Sequence, residues 1–182
     1  MPQFFDIHSH LNFKDYEVDF VNVLARLKDT NTHTIVVGTD IESSKSAVLL
    51  ADKHEEIYAC IGVHPVDNPN RNFEVGEFQN LVVHPKVVSI GECGLDFYHS
   101  ARGGPAMGGQ DLNKGEIERQ QELFLKHIDF ALAHQKPLMI HSRGAYPELL
   151  DILEPIAKKE GEKLAGNVHF FAGDKVIARR FL

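Results

Sequence analysis

Cysteine is scarce. Cys60 and Cys93 are the only two in 182 residues, and their spacing suits neither a disulfide framework nor a thiolate metal site. They read as reduced, buried thiols, and we expect a cytoplasmic protein. Positive charge is not in excess either: 19 Lys and Arg stand against 26 Asp and Glu, a net charge of −7. That excludes a global basic footprint for nucleic acid and leaves a local one open. No apolar run approaches the roughly 20 residues of a membrane helix. "MPQFFDIHSH" lacks the basic start and long apolar stretch of a signal peptide, so no membrane partner is expected. Tryptophan is absent, which excludes nothing. There is no internal repeat, low-complexity tract or convincing boundary, and we expect one domain over 1–182.

What is present is alternation. Short apolar runs at 4–8, 32–38, 57–63, 87–92, 137–141 and 166–171 read as strands buried on both faces. Helical patterns lie between them at 19–30, 43–56, 116–135 and 146–161, the second opening on a serine cap signal and the last closing at Gly161. The β–α alternation predicts parallel strands joined by crossover helices. "SARGGPAMGGQDLNKG" (100–115) reads instead as a long βα loop after the fourth strand. Six strands are legible, and "DKVIARRFL" opens a sixth helix. A full eight-unit barrel usually needs roughly 250 residues. We therefore expect an α/β, TIM-type (β/α) barrel that is incomplete, with six of eight βα units. The outer strands would keep open edges through which an oligomer could form.

The chemistry-bearing residues lie at strand ends. Side chains alternate along a strand, so in "DIHSH" Asp6, His8 and His10 share one side. Two imidazoles there could share a cation, and Asp6 could fix a ring tautomer from behind. His141 ends "PLMIH", His169 sits in "NVHFF" and Glu92 ends "VVSIGE". Each has a plain structural reading when taken alone. Taken together they differ, because a parallel barrel opens all strand C-termini on one face. Four neutral imidazoles and a carboxylate suit Zn²⁺, Mn²⁺ or similar ions. Glu92 has two oxygens and could bridge two metals about 3.5–4 Å apart, a geometry that clamps an in-line displacement. Arg143 could hold a phosphate bidentately or form a surface ion pair. Arg102, in the glycine-rich loop, carries a weaker version of the same reading. The glycines of "GECG" suggest tight turning beside the site. His33, His54, His84, His99, His127 and His134 receive no ligand role.

The motifs "FDIHSHL", "IGVHP", "IGECGLDF", "KPLMIHSR" and "VHFFAGD", in this order, resemble the TatD-type deoxyribonuclease family from about residue 4 to residue 174. These are metal-dependent hydrolases on a (β/α)₈ barrel. The resemblance implies that His8, His10, Glu92, His141 and His169 bind two divalent ions (Zn, Mg or Mn). It implies that His64 lies near the substrate phosphate, with a catalytic role shared with Glu92, and that Asp96 supports the site. It implies phosphodiester hydrolysis on DNA, RNA or small phosphodiesters, by 3′–5′ exonucleolytic trimming. Family members carry a further aspartate at strand eight, before which this sequence stops, and the 100–115 loop is longer and richer in glycine than the family pattern. Two other expectations stand beside this one. The same ligand set suits another ester or an amide, and an incomplete barrel could be an inactive metal-binding homologue.

Overall fold

The computed structural model describes residues 1–67, 72–98 and 114–182. Six parallel strands form one sheet in the order β1-β2-β3-β4-β5-β6: β1 (Phe4–Ser9), β2 (Thr32–Val37), β3 (Ile57–Ile61), β4 (Val87–Asp96), β5 (Leu138–Arg143) and β6 (Gly166–Val168). Each strand pairs with the next along the chain and each is followed by a helix. These are α1 (Phe20–Asp29), α2 (Ile41–Lys53), α3 (Val75–Val82), α4 (Lys114–His134), α5 (Tyr146–Glu160) and α6 (Lys175–Phe181). This is the expected barrel-type order carried through six βα units.

The sequence explains most of these elements. β4 is the most deeply buried strand, and its apolar run reflects cover on both faces. Val36 and Ala59 belong to the large core under the helices, with Ile61, Ile90, Phe78, Phe124, Ile128 and Leu149. Val37 and Cys60, one step along their strands, face the other way and pack with Met139 and Ile35. Fully burying a side chain such as Phe124 contributes about 1.5–3 kcal/mol. α5 stops at Gly161, whose φ of 60° a side chain would resist.

Several boundaries differ from the expectations. β4 runs on to Asp96, so "GECGLD" is strand and not a turn. Gly91 and Gly94 serve close packing there. A Cβ on either would strike a carbonyl of β5, Met139 or His141. α2 is capped by Asp40, not by a serine: Asp40 accepts from the Ser43 N–H at 2.8 Å and Ser43 Oγ accepts from the Asp40 N–H at 2.9 Å. α3 was not anticipated. β6 is shorter than its apolar run, ending at Val168, with His169 and Phe170 in a turn. Residues 99–113, which hold Arg102 and most of the glycine-rich stretch, lie outside the described residues.

Candidate metal centre

Among the described residues, five imidazoles surround one carboxylate. Glu92, 4% exposed, projects from the middle of β4, which runs on past it to Asp96. Its Oε2 lies 3.4 Å from His8 Nε2 and 3.7 Å from His10 Nε2. Its Oε1 lies 2.7 Å from His169 Nε2, 3.1 Å from His141 Nδ1 and 3.6 Å from His64 Nε2. The parallel sheet is what gathers them. His8 is on β1, Glu92 on β4 and His141 on β5, while His10, His64 and His169 follow β1, β3 and β6. His169 extends the sheet pairing, its N–H donating to the Ile140 carbonyl at 3.1 Å. The carbonyls at the β2 exit hold two neighbours: Gly38 accepts from the Glu92 N–H at 3.0 Å and Thr39 from the His64 N–H at 2.8 Å.

The donor atoms suit cations. His10 Nδ1 donates to the Val37 carbonyl at 3.1 Å, so its Nε2 lone pair points at the space shared with His8 Nε2, 3.2 Å away. Among the described residues two groups have ligand atoms close enough for one ion each: His8, His10 and Glu92, and His64, Glu92 and His141. Glu92 belongs to both, with one oxygen facing each group.

The electrostatics are tightly coupled. Burial opposes ionisation of Glu92. Hydrogen bonds from His141, His169 and His8, with the His64 charge, outweigh it and hold the carboxyl far below its usual range. Burial likewise disfavours the His141 cation, but bonds to Asp96 at 2.9 Å and to Glu92 raise its pKa to about 9. His10 goes the other way: burial lowers it, and the pull of Glu92 does not compensate.

The other expected residues are placed as follows. Asp96 meets His141 Nε2, at the rear of the cluster. Arg143, at the end of β5, lays its guanidinium over the Tyr98 ring, 4.6 Å from its centroid. Asp6 does not reach a histidine ring. It accepts from the His8 backbone N–H and from Thr34 Oγ1, both at 3.2 Å, and the carbonyl of Val37 does the tautomer fixing for His10 instead. Asp67 was missed. Its carboxylate sits 2.9 Å from His64 Nδ1, orienting the ring whose other nitrogen faces Glu92. An acid three residues after the histidine of "HPVD" was the available signal.

Comparison with known proteins gives the family. A solved structure of YjjV, a TatD homologue from Escherichia coli K12, superposes with a TM-score of 0.80 at 27% identity, over 98% of this chain and 64% of that one. The metal-dependent hydrolase YabD of Bacillus subtilis is 34% identical over 178 residues, covering 96% of this chain and 63% of the relative. A protein named 3′-5′ ssDNA/RNA exonuclease TatD from Shigella flexneri is 30% identical over 174 residues, 94% of this chain and 60% of the relative. The chain thus spans about 60% of the length of these curated relatives. The model of TatD related DNases matches residues 5–182, nearly end to end, and this chain belongs to that family.

Proposed function

We propose that this chain carries the metal centre of a hydrolase that cleaves phosphodiester bonds in DNA, trimming from the 3′ end, with RNA or small phosphodiesters as further substrates. One observation carries the reading: the two oxygens of Glu92 face two separate histidine groups. A single carboxylate so placed suits two divalent ions. His8 and His10 would hold one and His141 with Glu92 the other, His169 completing the shell. Bound ions there supply Lewis acidity toward a phosphate oxygen and raise the acidity of a water. The chain's own groups do the rest. His64, oriented by Asp67, presents Nε2 beside Glu92 and positions the phosphate. Arg143 lies at the same end of the sheet as a second phosphate partner. Asp96 keeps the His141 ring in place. The relative named as a 3′-5′ ssDNA/RNA exonuclease supports the choice of substrate. The free, buried Cys60 and Cys93 suit a cytoplasmic location.

The test is hydrolysis of a 5′-labelled single-stranded oligonucleotide by the purified chain in Mn²⁺ or Mg²⁺. We expect a ladder shortening from the 3′ end. Losing a partner of a metal ligand already costs about 10–100-fold, so Glu92→Gln should cost about 100-fold or more with circular dichroism unchanged. Near-normal activity of that variant would make Glu92 structural. Turnover of small esters or amides with no action on DNA would move the chemistry to another bond.

A further inference from the structure

The buried face of α4 carries polar side chains that the hydrolytic reading leaves unused. Gln120 and His127 are both fully buried, on the same stripe as Leu123 and Phe124. Gln120 holds the backbone of Asp96 twice, accepting from its N–H at 2.8 Å and donating to its carbonyl at 3.0 Å. His127 makes a different pair. Its Nδ1 donates to the Leu123 carbonyl at 2.8 Å, one turn earlier, and its Nε2 accepts from the Val63 backbone N–H at 2.9 Å. Phe73 walls the ring, centroid to centroid at 4.0 Å. Only a neutral ring protonated on Nδ1 satisfies both bonds.

Val63 precedes His64. Arg119, also on α4, donates to the Pro65 carbonyl at 2.5 Å. The helix therefore grips the chain on both sides of His64, while the His64 N–H itself is held by the carbonyl of Thr39, just past β2. Without the acceptor, the Val63 N–H would be left buried and unpaired, and the β3 exit would shift to find another.

We propose that His127 is a positioning residue for His64, fixing the β3 exit so that the imidazole faces Glu92 and the substrate phosphate. The proposal rests on the hydrolytic reading for its phosphate, and on the two bonds of His127 for its geometry. A misplacement of about 1 Å at such a site costs about 100-fold, so a small shift of the strand exit would be measurable.

Two variants test it. His127→Gln keeps an acceptor oxygen, and His127→Leu keeps apolar volume without one. Three readouts are taken: steady-state kinetics on single-stranded DNA, bound metal per chain, and the NMR shifts of the His64 ring during titration with inorganic phosphate. For His127→Leu we expect KM and the phosphate dissociation constant to rise about tenfold with metal content unchanged, and His127→Gln to stay within about threefold of the parent. A folded His127→Leu with unaltered phosphate affinity would overturn the proposal, as would a His127→Gln variant equally impaired. Should the parent chain leave DNA intact, the hydrolytic reading fails, and the phosphate titration of His64 still decides the positioning role. Should His127→Leu not fold, His127→Gln decides alone: Val63 amide exchange protection and the His64 response kept together or lost together support the role, and loss of one without the other in a folded chain overturns it.

Discussion

A histidine buried with both ring nitrogens engaged makes folding sensitive to acid. Burial pushes the His127 pKa down to about 4 from the ordinary 6.5; the Leu123 carbonyl opposes this and the Lys126 charge adds to it. Between those values the unfolded chain binds the proton and the folded chain does not. Stability therefore rises with pH across that window and is lost as pH falls through it. The effect is about 2 kcal/mol between pH 7 and pH 5. Urea unfolding at the two pH values should show His127→Gln losing about 2 kcal/mol less than the parent, and parallel losses would contradict the assignment. At the front of the site, replacing His8 and His10 by Ala together should remove at least one ion per chain by elemental analysis, since a cation rarely survives losing two ligands. Unchanged stoichiometry would take the N-terminal motif out of the centre. The strand-end histidines were legible because alternation along a strand and the common opening of parallel strands say where such side chains point. His127 and Gln120 were not, because a polar residue inside an apolar helical stripe looks like an interruption until its backbone partner is known. The role of the Val37 carbonyl was equally hidden, since a main-chain acceptor leaves no mark in the sequence.

Elements set the distances between those residues. β4 and β5 approach so closely that a Cβ at Gly94 would collide with the His141 carbonyl, and Gly94 has a φ of 130° that side chains rarely adopt. Gly94→Ala should therefore destabilise by about 1–3 kcal/mol and weaken metal binding by displacing His141. Thermal melting and metal titration would show both effects; metal affinity unchanged in a destabilised chain would separate the packing from the site. The capping box of α2 makes a more local case. Asp40→Ala should cost about 1 kcal/mol with metal content untouched. Both features were misread from sequence for related reasons. Glycine signals a turn as readily as a close approach, and only the neighbouring strand distinguishes them. A serine near a helix start signals a cap, but here Ser43 is the third helical residue, answering Asp40.

At the scale of the molecule, the order of strands was the most legible feature. Regular β–α alternation leaves few topologies, and sequential parallel pairing is one of them. Helix α3 escaped because eight residues with a valine and glycine start give weak periodicity. Among the described residues β1 and β6 form the two edges of the sheet, and Phe4, Phe5 and Ile7 on β1 are exposed. No helix among them is long and apolar enough to cross a membrane. Exposed edges of this kind favour pairing between chains. The 182-residue chain should therefore self-associate in light scattering, and Phe5→Lys should reduce that association; a monodisperse parent would contradict it. The central claim, however, concerns Glu92. Anomalous diffraction from crystals of the chain grown with Mn²⁺ would test it most directly. Two peaks about 3.5–4 Å apart, each touching one oxygen of Glu92, are predicted. A single peak, or peaks that leave Glu92 out of contact, would contradict a carboxylate-bridged pair.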